Sequence, residues 1–287
     1  MGAMSQARQA DFLRCREQLK HYENFNVVSY FVPGRLRPHF WAIYAFCRGV
    51  DDLGDEYSGD RLAALQAFEE ELRRAFENQA RTPEFRALAE TIRLFHLPIE
   101  DFLALIEANR RDQVRSRYLT FDDLLEYCRH SADPVGHLVL ALFGFRDDER
   151  RRLADAVSTG LQLTNFWQDL DRDLAAGRCY LPEEDCHRFG VSASALKMRP
   201  SSEAVRQLIA FEVDRAEVWL KRGARLETMV PRRLAWQLKL YRLGGQAILN
   251  AIRAQGCDPL AGRPEVSRAA KLGIVWRVWF SGEASRP

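Results

Sequence analysis

The chain has 287 residues, with 42 Lys and Arg against 40 Asp and Glu, and a formal net charge of +2 at pH 7. Hydrophobic residues at 47% and charged residues at 29% are the proportions of a soluble globular protein, which excludes collagen-like, disordered and coiled-coil chains. A nucleic-acid partner is not expected, because a nearly neutral chain offers no bulk attraction to a polyanion.

The N-terminal stretch MGAMSQARQADFLRCREQLK is polar and helical in pattern. It lacks the apolar run of a secretory signal, so a cytoplasmic protein is expected, and residues 1–4 read as a tag remnant. After the Pro33-Gly34 break comes an apolar run with Trp41, Ile43, Tyr44, Phe46 and Val50. From Arg61 to Phe76, Leu62, Leu65, Phe68, Leu72 and Phe76 recur three or four apart, the spacing of an amphipathic helix. The same spacing predicts helices over 84–95, 98–110, 121–145, 147–174, 201–229 and 231–255. Breakers stand where these should stop, at Pro98, Pro182, Pro200, Pro231 and Gly256. Gly177 to Pro200 is the least regular stretch and is expected to form a loop with short helical turns. No run alternates as a strand does, and no repeat or linker interrupts the pattern. The expectation is one all-α domain over 1–287, with about ten helices.

Residues 271–287, KLGIVWRVWFSGEASRP, gather Trp276, Trp279 and Phe280 beside Lys271 and Arg277. They read as a last helix packed on the core, or as an aromatic and basic strip that touches lipid, peripheral on the inner membrane. The longest apolar run, Pro134 to Phe145, is about half the roughly 20 residues of a spanning helix. Any membrane contact is therefore peripheral. The six cysteines form no CxxC pair and are expected as reduced thiols.

Two acidic clusters carry the chemistry. In AFCRGVDDLGDE, Asp51 and Asp55 are four apart and share a helix face; Asp52 and Glu56 form a second pair turned by about 100°. In QLTNFWQDLDRD, Asn165, Asp169 and Asp173 make one stripe, with Gln162 on the same side. A single acidic pair is ordinarily a solvated face. Here both clusters follow apolar runs, and an Asn in register with two Asp residues adds a neutral oxygen ligand. Two such stripes facing each other across a helical bundle would bind Mg²⁺, which completes its shell with water and substrate phosphate. Arg48 and Arg178 stand close in sequence to complete a diphosphate site. With metals taking up its charge, a diphosphate becomes a good leaving group. An apolar, aromatic cavity would then shelter a carbocation. Tyr22, Phe25, Tyr30, Phe31, Trp41, Tyr44, Tyr127 and Phe166 are candidate liners, although each alone reads as plain core.

These motifs resemble the trans-isoprenyl diphosphate synthases and, within them, the squalene/phytoene synthase family. The matching pieces are HYENF at 21–25, IYAFCRGVDDLGDE at 43–56, EYCRHSADPVG at 126–136, LQLTNFWQDLDRD at 161–173 and GRCYLP at 177–182. The resemblance implies a single-domain isoprenoid synthase helical bundle with a central apolar cavity. It implies Asp51, Asp55, Asn165, Asp169 and Asp173 as metal ligands for two or three Mg²⁺. It implies His21, Tyr44, Arg48, Gln162, Arg178 and Tyr180, with Asn165, as residues holding a prenyl diphosphate. Tyr127 matches a tyrosine implicated in the chemistry, and Asp52 is a supporting neighbour.

Three departures distinguish the chain from members that join two prenyl diphosphates. Gln168 stands where NxxRD members carry Arg, Asp133 stands where glycine is usual, and Gly244-Gly245 falls where a family tyrosine would align. The closest resemblance is to hydroxysqualene synthase of bacterial hopanoid biosynthesis. That implies ionisation of presqualene diphosphate, rearrangement and capture of water, with no NADPH. Asp133, or room opened by Gly244 and Gly245, would hold the water; the plain reading of Asp133 is a turn or cap before Pro134. His130 and His137 are a weak metal pair and read better as packing groups, as Cys47 and Cys128 do. The alternatives are a presqualene diphosphate, dehydrosqualene or phytoene synthase, and, from another class, a non-catalytic prenyl-lipid binder or assembly partner. Transient association with neighbouring pathway enzymes is part of the same expectation.

Overall fold

The computed structural model describes residues 6–19 and 32–280. Among them the helices are α1 (Gln6–Gln18), α2 (Arg37–Asp55), α3 (Arg61–Phe76), α4 (Pro83–Phe95), α5 (Ile99–Val114), α6 (Phe121–Ser131), α7 (Asp133–Leu142), α8 (Asp148–Gln168), α9 (Leu170–Ala175), α10 (Glu183–Arg188), α11 (Glu203–Gly223), α12 (Arg232–Ala254) and α13 (Arg268–Phe280). Short 3₁₀ turns occupy 195–197, 224–228 and 259–261, and no strand occurs among the described residues. Local chemistry starts several helices. Asp60, Thr82 and Ser202 each accept a backbone N–H at an N-terminus, and Thr120 with Asp123 forms a reciprocal capping pair.

Two expected helices are divided. The 121–145 segment breaks at Ala132 (φ −129°, ψ −49°), because Pro134 has no N–H to continue the ladder and instead suits the first turn of α7. The 147–174 segment breaks at Asp169 (φ −100°, ψ 13°). There the helical bonding persists: Asp169 N–H donates to the Asn165 carbonyl at 2.8 Å, and Asp173 N–H to the Asp169 carbonyl at 2.9 Å. The acidic stripe therefore keeps its register across the break.

The residues gather into two compact units, one of residues 1–115 and 134–151, the other of residues 116–133 and 152–287. In the first unit α2 packs against α1, α4 and α5. Phe46 is the hub, with its ring centroid 5.1 Å from Phe68, 6.1 Å from Phe85 and 5.0 Å from Phe102. Buried His39 joins this core through Thr91 Oγ1 at 2.9 Å, and burial pushes its imidazole down to about 4.

In the second unit α8, α11 and α12 approach through glycine. A methyl at Gly160 would stand 2.8 Å from the Leu220 nitrogen, one at Gly223 2.3 Å from Val157 Cγ2, and one at Gly245 2.9 Å from Leu161 Cδ2. The same unit holds a fully buried carboxyl, Glu212, on α11. Arg215 Nη1 reaches Glu212 at 3.2 Å and Asp185 at 2.8 Å, and its guanidinium lies 3.9 Å from the Phe121 ring centroid. Burial pushes Glu212 from 4.5 up to about 8; Arg215 opposes this and Asp185 adds to it. Between those two values the folded chain holds a proton that the unfolded chain has released, so stability falls as pH rises through that window. Thermal unfolding of Glu212→Gln should accordingly lose this fall, with Tm above the wild type by several degrees at pH 8. Equal pH profiles for the two proteins would count against it.

All six cysteines are free thiols. Burial pushes Cys15 and Cys186 up to about 12, and moves Cys47, Cys128, Cys179 and Cys257 in the same direction. The last helix, α13, packs on α12 with Val278 buried, while Leu272 and Trp276 stay 71% and 64% exposed. No helix among the described residues is long and apolar enough to cross a membrane.

Candidate active site

The first acidic cluster forms the C-terminal turns of α2, where the apolar run ends. Arg48 Nη2 donates to Asp52 Oδ1 at 2.9 Å, and Nη1 lies 3.5 Å from Asp51 Oδ2. Asp51 keeps 47% of its side-chain surface accessible. Its carboxyl is nonetheless crowded by protein, which pushes it up to about 6; Arg48 and a hydrogen bond with Asn109 pull it back, and Asp55 and Asp52 add to the rise. A carboxyl that is reachable yet poorly solvated gains by meeting a cation. Asp55 is exposed. Tyr44 stacks on Phe40 at 6.1 Å.

Two residues of this region were not singled out in the sequence. Asn109 of α5 lies over Gly54, whose absent side chain makes room for it: a methyl there would be 2.1 Å from Asn109 Oδ1. Gln113, one turn on, donates to the Gly54 carbonyl at 3.0 Å. Their four-residue spacing echoes the acidic pairs, but nothing local says which helix they face. Trp41 takes the bland role, packing on Phe12, Cys15, Ala42 and Ala87 with the Arg16 guanidinium 5.4 Å from its ring. His21, Tyr22, Phe25, Tyr30 and Phe31 lie outside the described residues.

In the second unit Asn165 is exposed and Gln162 half-buried on α8, and Asp169 stands at the N-cap position of α9 without a side-chain capping bond. Arg263, 94 residues further on, donates from Nε to Asp169 Oδ1 at 2.5 Å and from Nη2 to Oδ2 at 3.4 Å. Arg178 Nη2 stands 3.8 Å from Asp173 Oδ1. Buried Gln168 donates from Nε2 to the Pro264 carbonyl at 2.7 Å. The loss of an arginine at 168 is thus accompanied by a cation arriving at the same motif from the chain's end, which the sequence reading missed. Arg178 also lines a cleft of about 940 Å³ between α9, α10 and the loop to Arg199, together with Asp171, Gly177, Cys179 and Leu181.

Tyr127 and Tyr180 are buried in an aromatic cluster with Tyr118 and Phe166. Tyr180 stacks on Phe166 at 4.0 Å, and Tyr127 lies 5.7 Å from Tyr180 and 6.1 Å from Phe166. Asp133 is also buried and accepts a hydrogen bond from Thr159 Oγ1 at 2.9 Å. It is the first residue of α7, and its charge helps to raise the buried Cys128 thiol. The expectation of room at Gly245 is corrected: Leu161 and Leu220 fill that space, whereas Gly244 has nothing within 4 Å. His137 Nδ1 lies 2.9 Å from Asp101 Oδ1, and His130 Nδ1 lies 2.9 Å from the Glu126 carbonyl, both packing roles.

The donor set consists of carboxylate and amide oxygens, which suits a hard cation such as Mg²⁺. Arginines hold three of the carboxylates: Asp51 by Arg48, Asp169 by Arg263 and Asp173 by Arg178. Among the described residues no three acid, His or Cys side chains gather closely enough to hold a metal alone. An ion held by these residues would need to draw its remaining oxygens from water and ligand, the usual habit of Mg²⁺.

The helical fold is that of the isoprenoid synthases. Residues 19–270 match the family model described as squalene/phytoene synthase, and the chain belongs to that family. It is similar to squalene synthase HpnC from Alicyclobacillus acidocaldarius, with 59% identity and a TM-score of 0.86 over 89% of this chain and 98% of that one. A dehydrosqualene synthase solved with a ligand has a TM-score of 0.89 at 27% identity, covering 97% and 99% of the two chains. The 15-cis-phytoene synthase of Synechococcus elongatus is 31% identical, covering 90% of this chain and 89% of its own.

Proposed function

We propose that the protein converts presqualene diphosphate and water to hydroxysqualene and diphosphate in squalene and hopanoid biosynthesis. The 59% identity to squalene synthase HpnC, against 27% and 31% for the dehydrosqualene and phytoene synthases, supports the squalene branch, and Gln168 and Asp133, where condensing members carry arginine and glycine, support capture of water within it. Asp51, Asp55, Asn165, Asp169 and Asp173 hold two or three Mg²⁺. When bound, these ions take up the charge developing on the departing diphosphate. Arg48, Arg178, Gln162 and Tyr44 orient the diphosphate. The C–O bond breaks with its electron pair on the leaving group. The rings of Tyr127, Tyr180 and Phe166 support the cation without trapping it. A water oxygen closes the rearranged cation and releases one proton, with Asp133 as the group that orients this water. No hydride is transferred, so NADPH is not used. A peripheral position at a membrane fits an apolar product.

Purified protein given presqualene diphosphate and Mg²⁺ in ¹⁸O-water should yield hydroxysqualene carrying one ¹⁸O, with no dependence on NADPH. EDTA should abolish it, and Asp133→Ala should slow it. A second reading, condensation of two prenyl diphosphates, is favoured by the phytoene synthase relatives. Presqualene diphosphate or phytoene formed from shorter prenyl diphosphates, with nothing from presqualene diphosphate, would establish that reading instead.

A further inference from the structure

The segment after α12 returns to the second acidic motif. Its 3₁₀ turn, Pro259–Ala261, packs on α9 with Pro259 and Leu260 buried. Asp258, just before it, accepts a hydrogen bond from Ser201 Oγ at 2.6 Å. At the segment's far end Gln168 donates a 2.7 Å bond to the backbone carbonyl of Pro264, beside the bond between Arg263 and Asp169, in a stretch where Trp167 and Leu170 are almost wholly buried.

Pro264 has no N–H, so its carbonyl is its one backbone polar group, and burial demands that it be satisfied. A proline also restricts the residue before it to extended backbone. Fixing Pro264 therefore fixes the direction in which Arg263 leaves the chain, and Arg263 leaves towards Asp169.

We propose that Gln168 is a positioning residue: it fastens the 258–264 segment so that the Arg263 guanidinium stands at the second acidic motif and is available to a magnesium-bound diphosphate. Gln168 touches no ligand. It sets the place of a cation supplied by another segment. Arg263 keeps 54% of its side-chain surface exposed, so it can exchange the Asp169 carboxylate for phosphate oxygens. Its planar fork of donors matches either partner. The inference rests on the reading of Asp169 as a ligand of magnesium diphosphate.

The test uses full-length wild type, Gln168→Met, Arg263→Gln and the double variant. Hydrogen exchange at 258–265 is followed without ligand, and inorganic diphosphate with Mg²⁺ is titrated by calorimetry. Gln168→Met should speed exchange in that segment about tenfold and leave α2 to α5 unchanged. It should weaken diphosphate about tenfold, as should Arg263→Gln, and the double variant should bind no worse than Arg263→Gln alone. Wild-type exchange in Gln168→Met, or losses that add in the double variant, overturns the proposal. Should Gln168→Met lose its fold, Gln168→Asn, whose amide is one methylene too short, is held to the same outcomes. Failure of the wild type to bind diphosphate would overturn the catalytic reading, and the exchange result would still decide the fastening.

Discussion

Asp51→Asn should lower kcat by roughly 10²- to 10³-fold and make the metal-free protein more stable by about 1 kcal/mol at pH 8. The two effects have one cause. Asp51 stands at about 6 because protein crowds it and Asp55 and Asp52 repel it. Its folded value lies above its ordinary 3.8, so ionisation draws on stability between those values, and the loss is complete above about pH 6. Because its side chain is 47% exposed, solvent screening reduces the loss well below what the shift alone implies. An amide removes the charge and keeps the shape. It also removes an anionic ligand, so the variant should gain less from Mg²⁺ and diphosphate than the wild type does. Thermal unfolding in EDTA and in Mg²⁺ with diphosphate, beside steady-state kinetics, measures both. A variant that melts below the wild type in EDTA at pH 8 would contradict the crowding account.

Gly160→Val should be the most damaging single change away from the acids, destabilising by about 3 kcal/mol or more, with Gly160→Ala near 1 kcal/mol. The atom in the way is the Leu220 backbone nitrogen, 2.8 Å from where a methyl would sit, and a helix backbone has no rotamer to escape into. Alanine recovers up to about 1 kcal/mol of helix propensity, which offsets part of an overpacking term of about 1–3 kcal/mol. Valine adds bulk and gives little of that back. The strain pushes α8 off α11, and α8 carries Gln162 and Asn165, so activity should fall about 10²-fold even where the fold survives. Gly244→Ala is the control: nothing lies within 4 Å of it, so it should be neutral or slightly stabilising in urea denaturation. Equal losses at the two glycines would refute the close-approach argument.

The helices were legible because apolar residues repeat at the helical period and prolines mark the ends: 61–76 matches the expected bounds, and the starts expected at 84, 98 and 231 fall within one residue, at 83, 99 and 232. The breaks at Ala132 and Asp169 were harder to see, since the apolar period runs through both and only local backbone settles them. The acidic stripes were legible because ligand spacing on a helix is a local property. Asn109, Gln113 and Arg263 were not, because each reaches its motif from a distant segment. Arg263 lies 94 residues from Asp169, and no periodicity encodes that meeting. Gln168 was noticed as a missing charge, whereas its bond to Pro264 depends on a carbonyl that no residue type reveals. Tyr180 was expected beside the diphosphate, and its ring proves to stack on Phe166.

The raised thiols have a consequence for the proposed chemistry. An ionised prenyl chain is an alkylating agent, and a sulfur anion would trap it faster than water can. Burial favours the protonated form of Cys47, near Asp51, and of Cys128, next to Tyr127 in the chain. These sulfurs, and Cys179 beside Tyr180, which burial also raises, are therefore poor competitors for the electrophile. On the proposed reaction the enzyme would escape inactivation by its own intermediate, whose partition would be left to water.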